Sequence, residues 1–277
     1  MGWELLALGA ASSMFLVLLL IMKWKLPKLH ALVGATAATL AAALPFFWIY
    51  PLCQTNGGMA VAVFGQITTA LTLALALTLL CFWRDPERVP PDEDGVVLSP
   101  ADGEVLYVSN VDEGSTPLVT KGGRDYLLRE LTGANLLASA AYVIAVEMNL
   151  LDVHVNRCPI AGEVKLLKHI EGKFISLRKD EAPFVNARFT TIIENASLTL
   201  AVIQVASRLV RRIESYLSAG ETVSAGQRLG VIRLGSLVAV VLPKRENVRI
   251  EVKPGDRVTA GISVLARYEV KDERTEN

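Results

Sequence analysis

Apolar residues are concentrated in the first third of this chain of 277 residues, and most charged residues follow Arg84. Three apolar stretches cover residues 3–22, 31–50 and 59–83. Each has roughly the twenty residues that an α-helix needs to cross a ~30 Å hydrocarbon core. The pattern predicts a membrane region, residues 1–83, with three transmembrane helices. A re-entrant or buried hairpin is the alternative for the middle stretch.

Basic residues set the predicted orientation of these helices. The connection between the first two stretches carries Lys23, Lys25 and Lys28, whereas residues 51–58 carry no charge. Because loops rich in lysine and arginine stay in the cytoplasm, the third helix should end at Arg84 on the cytoplasmic side. The lysines follow the first stretch instead of preceding it, which argues against a signal peptide. We therefore expect a multi-pass protein of the inner cell membrane.

The pattern changes after a proline-rich, charged linker at residues 84–94, where short segments rich in β-branched residues predict strands. Residues 219–226 resemble residues 253–261, each with a glycine turn on either side of a valine. Lipoyl and biotinyl carrier domains use such turns in a sandwich of folded hairpins. We predict that residues 95–277 form a β-rich α+β domain with a barrel-sandwich-like core and a helix near residues 127–139. The predicted strands cover residues 95–98, 104–108, 141–146, 162–167, 198–205, 228–232, 237–242 and 247–252.

Composition excludes several classes of function. Hydrophobic residues make up 52% of the chain and the mean hydropathy is +0.39, which is high for a soluble protein. The formal net charge is zero, so no overall field favours nucleic acid. The three cysteines, Cys53, Cys81 and Cys158, form no metal-type pair and no disulfide framework. We expect neither a metal site nor a nucleic-acid partner.

The apolar run at residues 231–243 predicts a buried strand, and it contains the pair Gly235-Ser236. A glycine weakens a strand, but it can adopt strained dihedrals that leave its carbonyl open to attack by the Ser236 hydroxyl. Attack turns the amide into an ester, and elimination then cuts the chain and leaves a pyruvoyl group, a ketone that serves as an electron sink. The alternative is a β-bulge or tight packing. A second pair, Gly114-Ser115, shows that the dipeptide alone is weak support.

Two further residues supply chemistry for such a step. His154 lies in Asp-Val-His-Val-Asn-Arg at residues 152–157, and histidine moves protons near neutral pH. Asp102 lies in Ser-Pro-Ala-Asp-Gly at residues 99–103 and would orient that imidazole in a serine, histidine and acid relay. The alternatives are a histidine satisfied within the core and an aspartate of an ordinary turn.

Several segments occur in the order seen in phosphatidylserine decarboxylases, and the chain resembles the shorter type of that family. The resemblance covers roughly residues 82–245. It implies that Ser236 becomes a pyruvoyl cofactor after cleavage between 235 and 236, that His154 and Asp102 activate this serine, and that Gly114-Ser115 takes no part. The segments that carry it are residues 82–88, 99–103, 152–157 and 234–236, together with residues 171–174 and 204–213.

The resemblance also implies a substrate and partners. A zymogen of this type decarboxylates phosphatidylserine to phosphatidylethanolamine in the membrane, and its two fragments remain associated. Because a phospholipid head group is anionic, Lys173, Arg188 and Arg233 are candidate substrate-binding residues. A homodimer is a further assembly that the sequence allows.

Departures from the family pattern keep alternatives open. They lie at Ala187, Phe189, Ser207 and Leu237, in regions expected to shape the substrate site. One alternative is a family member that acts on a different serine-headed lipid or that cleaves itself poorly. Another is a membrane-anchored lipoyl- or biotinyl-like adaptor modified at Lys244.

Overall fold

The chain divides into two compact units in its computed structural model. The first unit comprises Met1–Arg84 and Asn149–Leu151, and the second comprises Asp85–Met148 and Asp152–Asn277. Residues 85–94 of the predicted linker therefore belong to the second unit. The structure describes residues 2–24, 28–53, 55–111, 118–121, 124–127, 132, 140–177, 179, 181–207, 212–232 and 236–270.

Three apolar helices form the first unit: α1 at Gly2–Trp24, α2 at Lys28–Ile49 and α3 at Asn56–Phe82, with a short 3₁₀ turn at Tyr50–Leu52. Small residues lie between the helices, whereas large apolar side chains face outward, which is the distribution of helices that pack in lipid. The buried small residues include Ala35, Ala38, Ala42, Ala62 and Ala70, and the exposed large ones include Leu8, Phe15, Leu40, Phe64 and Leu80.

A polar contact also ties these helices together. The Tyr50 hydroxyl donates to Gln66 Oε1 at 2.8 Å, and Gln66 Nε2 donates to the Leu6 carbonyl at 3.5 Å. Among the described residues, two helices are long and apolar enough to cross a membrane, at Leu32–Leu52 and Gly57–Phe82. The apolar part of α1 at Glu4–Leu20 is shorter. The third predicted membrane crossing, and the orientation of all three, stay predictions.

The second unit is β-rich, as predicted. Eight of its described strands form one antiparallel sheet in the order β11-β7-β8-β9-β13-β5-β2-β15, and two three-stranded sheets have the orders β1-β16-β14 and β10-β12-β6. A four-residue helix, α4 at Ala182–Val185, precedes β8. The strands are β1 Val96–Leu98, β2 Gly103–Val111, β3 Leu118–Lys121, β4 Arg124–Leu127, β5 Ala141–Met148, β6 Val155–Arg157, β7 Gly162–Ile170, β8 Arg188–Glu194, β9 Thr199–Val205, β10 Ile213–Ser215, β11 Thr222–Val223, β12 Arg228–Ile232, β13 Ser236–Pro243, β14 Val248–Ile250, β15 Arg257–Val258 and β16 Val264–Tyr268.

Strand β13 lies inside the large sheet, between β9 and β5. Its successive side chains enter two different apolar clusters: Val238 and Val240 pack in one, and Leu237 and Ala239 pack in the other. A strand covered on both faces needs a continuous apolar sequence, which explains the unbroken run that β13 displays. Each buried valine or leucine of this strand contributes about 1.5–3 kcal/mol.

The predicted repeat is confirmed, and it is larger than the turns that revealed it. Strands β1, β2, β14, β15 and β16, here called copy A, have the same mutual pairings as β6, β7, β10, β11 and β12, here called copy B. All four glycines of the two repeated turns have a positive φ, which explains why glycine is required there. These glycines are Gly220, Gly226, Gly255 and Gly261.

Equivalent hydrogen bonds hold the two copies. The Val105 amide donates to the Asp256 carbonyl in copy A, and the Val164 amide donates to the Glu221 carbonyl in copy B, both at 2.9 Å. The copies also bond to each other reciprocally, because the amides of Leu98 and Arg157 donate to the carbonyls of Pro159 and Pro100, respectively.

The predicted helix near residues 127–139 lies almost entirely outside the described residues, and Leu127 ends β4.

Candidate active site

The backbone brings the neighbourhood of His154 to the predicted cleavage point. Strand β13 begins at Ser236, whose register partner is Met148, the last residue of β5. On the other side of the predicted cleavage point, the Ile232 amide at the end of β12 donates to the His154 carbonyl at 3.2 Å. Both ends of the segment 232–236 are therefore tied to the segment 148–154. Gly235 and Arg233 lie outside the described residues.

His154 is buried, with 1% of its surface exposed. Its Nδ1 lies 2.8 Å from the carbonyl oxygen of Asp152. Because a carbonyl oxygen only accepts, Nδ1 carries the proton and the lone pair of the neutral ring is on Nε2. Burial lowers the pKa of His154 below its usual range, although the Asp152 hydrogen bond and the charges of Asp152 and Asp102 raise it. The imidazole is therefore a neutral base near neutral pH.

The carboxylate of Asp102 lies in the turn between β1 and β2. Its two oxygens accept from the two terminal nitrogens of Arg88, at 2.6 Å and 2.8 Å. They also accept from the amides of Ala260 at 2.8 Å and Val153 at 3.4 Å. Asp102 thus acts on His154 through its charge and through the backbone of the preceding residue, while the Asp152 carbonyl holds the ring nitrogen Nδ1.

Asp152 is a residue to which the sequence analysis gave no role. Its side chain is 6% exposed and accepts from Arg257 Nη2 at 2.6 Å, and the Arg257 side chain is 52% exposed. Two carboxylates therefore act on the imidazole, and each has an arginine partner. The position of Asp152, two residues before the histidine in the same motif, was the signal available in the sequence.

A buried pair of amides lies near the start of β13. Gln204 Nε2 donates to Asn156 Oδ1 at 2.8 Å, and Asn156 Nδ2 lies 3.8 Å from the sulfur of Met148. Gln204 is the register partner of Val238, two residues beyond Ser236. Its Oε1 is buried without a partner within the described part of the chain. Sequence analysis gave this pair no role, although Asn156 and Gln204 lie in two of the segments that carry the family resemblance.

The three predicted cations differ in their surroundings. Lys173 is exposed, and its backbone forms a parallel bridge with Asn186. Arg188 is buried. Its Nη1 donates to the carbonyls of Phe184 at 2.9 Å and Asn186 at 3.1 Å, and these bonds satisfy carbonyl groups at the end of α4. The structure therefore brings the segments of Lys173 and Arg188 together, while Arg233 lies outside the described residues.

Three departures from the family pattern lie close to these segments. Ala187 immediately precedes β8, Phe189 is in β8 and pairs with Gln204 of β9, and Ser207 follows the end of β9. The Ala206 amide donates to the Ala187 carbonyl at 2.9 Å. These substitutions therefore lie on one part of the sheet.

Other reactive groups are less suited to chemistry. Burial raises the pKa of the Cys158 thiol to about 12, so this thiol stays protonated. In the described ranges, no group of three or more histidine, cysteine, aspartate or glutamate side chains is placed to hold a metal ion. The described site therefore combines a buried, neutral imidazole at His154 with a strand that begins at Ser236.

Comparison with known proteins identifies the family. The family model described as phosphatidylserine decarboxylase matches residues 75–266, a range that includes Asp102, His154 and Ser236. The chain therefore belongs to the phosphatidylserine decarboxylase family, as its motifs predicted, and this membership makes it a decarboxylase of the lyase class.

Individual relatives agree. A protein of Methanocaldococcus jannaschii named putative archaetidylserine decarboxylase proenzyme is 38% identical over 70% of this chain and 91% of its own length. The phosphatidylserine decarboxylase proenzyme of Symbiobacterium thermophilum is 39% identical over 72% of this chain and 82% of its own. That of Erythrobacter litoralis is 35% identical over 79% of this chain and 89% of its own.

Proposed function

We propose that this chain is a proenzyme that cleaves itself between Gly235 and Ser236 and then decarboxylates phosphatidylserine to phosphatidylethanolamine. The observation that carries the proposal is the pair of backbone contacts, Ser236 with Met148 and Ile232 with His154, which hold both sides of the proposed cleavage point against the segment that contains His154. The word proenzyme in the names of the relatives supports self-processing.

The cleavage step uses the chain's own groups. His154 Nε2 takes the proton of the Ser236 hydroxyl, and the oxygen attacks the Gly235 carbonyl carbon, so that the Gly-Ser amide becomes an ester. Loss of the Ser236 α-proton then expels the Gly235 carboxylate. Water replaces the nitrogen of residue 236, which leaves as ammonia, and a pyruvoyl group remains at the new N-terminus. A positioned histidine base contributes about 10²–10⁴-fold to such a proton transfer.

The two products are residues 1–235 and residues 236–277. The second fragment contributes β13 to the middle of the large sheet, and its β16 pairs with β1 of the first fragment. These pairings support the proposal that the fragments stay associated after the chain is cut.

The residues around Ser236 fit a pyruvoyl group, because the start of β13 lies opposite Met148 and near the buried amides of Gln204 and Asn156. Such a group supplies a ketone that binds the serine amine and withdraws electrons as carbon dioxide leaves. His154 holds or returns a proton near the reacting carbon. Lys173, Arg188 and Arg233 are the proposed contacts for the anionic head group.

The apolar helices complete the proposal. Three transmembrane helices with a basic cytoplasmic loop would keep the domain on the cytoplasmic side of the inner membrane, where lipid head groups are available. A homodimer remains part of this proposal. The adaptor alternative modified at Lys244 is disfavoured, because the family match covers residues 75–266 with an enzyme family.

One alternative substrate has a specific observation behind it. The Methanocaldococcus jannaschii relative is named for archaetidylserine, another lipid with a serine head group. Because the decarboxylation occurs on the serine head group that both lipids share, discrimination between the two lipids depends on the part of the lipid outside the head group.

The test uses purified full-length protein in mixed micelles with phosphatidylserine labelled in its carboxyl carbon. We expect release of labelled carbon dioxide by the wild type and none by Ser236→Ala. Archaetidylserine in parallel micelles identifies the preferred tails. Cleaved wild-type protein that releases carbon dioxide from neither lipid would overturn the proposed substrate class.

A further inference from the structure

We propose that Arg88 is a positioning residue that neutralises Asp102 and thereby keeps His154 in its proton-accepting form. The inference rests on the proposed self-cleavage and assigns a role to a side chain that precedes the domain's first strand. Arg88 acts through Asp102 and touches no reacting atom.

The contact has the geometry of a strong pair. The two terminal nitrogens of Arg88 meet the two carboxylate oxygens of Asp102 at 2.6 Å and 2.8 Å, and Nη1 also donates to the Ala260 carbonyl at 2.7 Å. The side chains of Arg88 and Asp102 are 7% and 12% exposed. A buried two-pronged contact of this kind holds both position and charge.

The internal repeat shows that the turn itself does not require this carboxylate. Residues 99–105 of copy A correspond to residues 158–164 of copy B, which form the same turn with the same hydrogen bonds. Ala161 occupies the place of Asp102 there and is exposed. The turn of copy B therefore forms without a carboxylate at this position.

The ion pair of Arg88 and Asp102 affects the balance of charge around the His154 imidazole. Within the described part of the chain, the carboxylates of Asp152 and Asp102 act on the imidazole, and both favour the protonated ring. A protonated ring cannot take the Ser236 proton. Arg88 offsets Asp102 in a buried place that salt screens weakly, whereas Arg257 offsets Asp152 near solvent, where salt screens strongly.

Loss of Arg88 should therefore change the pH dependence of cleavage. Asp102 would keep its bonds from the Ala260 and Val153 amides, but its charge would act unopposed on His154. The imidazole would then hold its proton to a higher pH. The acidic limb of the cleavage rate should move in the same direction, because only the neutral ring is a base.

The experiment follows self-cleavage of the full-length chain made by cell-free synthesis into nanodiscs, from pH 5 to pH 9. In Arg88→Met we expect the midpoint of the acidic limb to rise by about one pH unit, a tenfold change in the protonation equilibrium. Arg88→Lys keeps the positive charge but loses the two-pronged guanidinium contact with Asp102. The midpoint of its acidic limb should therefore stay near the wild-type value, while its cleavage rate falls. Arg228→Met is the matched control, because Arg228 pairs with Asp85 and Glu87 of the same segment and leaves Asp102 untouched.

A double variant covers the case in which Arg88→Met fails to fold. Arg88→Gln with Asp102→Asn removes both charges while keeping similar shapes, and its midpoint should be no higher than that of the wild type. Unchanged midpoints in Arg88→Met, or a double variant with a raised midpoint, would overturn the inference while leaving self-cleavage intact. A wild-type chain that never cleaves would instead overturn the proposed function and, with it, this role.

Discussion

Copies A and B have the same strand pairings. Among the described residues of the two copies, charged side chains that contact the residues next to His154 come from copy A: Asp102 accepts from the Val153 amide, and Arg257 donates to Asp152. In copy A the Lys253 amide donates to the Asp256 carboxylate, and in copy B the Ser218 amide donates to the Glu221 carboxylate, both at 2.9 Å. The turns therefore agree down to their side-chain contacts. Two of the differences between the copies concern the site: Asp102 and Arg257 of copy A correspond to Ala161 and Thr222 of copy B.

This difference separates scaffold from chemistry. Arg257 pairs with Glu104 in register as Thr222 pairs with Glu163, so both are positions of a short edge strand. Only Arg257 continues to the Asp152 carboxylate beside His154. We infer that the duplicated backbone positions the candidate site and that Asp102 and Arg257, which are unique to copy A, set its electrostatics. Exchanging residues between the copies tests this division.

The largest effect is expected where the copies differ in charge. Asp102→Ala leaves the buried Arg88 without its carboxylate partner and removes the acceptor that fixes the Val153 amide. We expect cleavage to slow by at least about a hundredfold and the free energy of unfolding to fall by about 3–5 kcal/mol. Mass spectrometry of newly synthesised chains and thermal unfolding measure the two effects.

The matched control is Ala161→Ser in copy B, at the equivalent exposed position. It should alter stability by no more than about 0.5 kcal/mol and leave cleavage unchanged. Equal cleavage rates in Asp102→Ala and Ala161→Ser would erase the functional distinction between the copies.

A smaller effect of the same kind in both copies is expected at the glycine that begins β2 and β7, with the larger cost at Gly103, whose φ of 155° disfavours a side chain. A Cβ at Gly103 would meet the Glu147 carbonyl oxygen, and one at Gly162 would meet the Glu194 carbonyl oxygen. Gly103→Ala and Gly162→Ala should each cost about 1–3 kcal/mol, seen as a fall in Tm of roughly 5 °C. A large cost in one copy and none in the other would show that the scaffold is not duplicated energetically.

The smallest effect is expected from Arg257→Thr, which gives copy A the residue of copy B. The Asp152 charge would then act on His154 without its partner and favour the protonated ring. The acidic limb of the cleavage rate should move up by roughly 0.2–0.5 pH unit, because the pair is half-exposed. The shift should vanish at about 1 M salt, and a shift that persists there would point to a cause other than charge.

Sequence predicted the parts of the fold that depend on continuous apolar patterns. Strand β12 has the predicted bounds, and β13 differs by only one residue at each end because it is a buried apolar run without interruption. Strand β8 was missed because Arg188 and two threonines interrupt its apolar pattern, although these residues are buried in the sheet. Strands β11 and β15 have two residues each, too few for any pattern.

The candidate site was predictable only in its chemistry. The motifs named Asp102 and His154, but the partners of these residues come from distant parts of the chain: Arg88 from the segment after α3, and Ala260 from copy A's second half. Residues 99–105 and 158–164 share proline, glycine, glutamate and valine at equivalent positions. That similarity was visible in the sequence, yet only the hydrogen bonds show what it means.

The most direct test of the account is the intact mass of the purified full-length protein, with Ser236→Ala beside it. We expect the wild type to yield two chains, residues 1–235 and residues 236–277, the smaller one with a ketone that reacts with hydroxylamine, and Ser236→Ala to yield one uncut chain. A wild type of full mass, or an identical cut in Ser236→Ala, would contradict the claim that this serine breaks its own backbone.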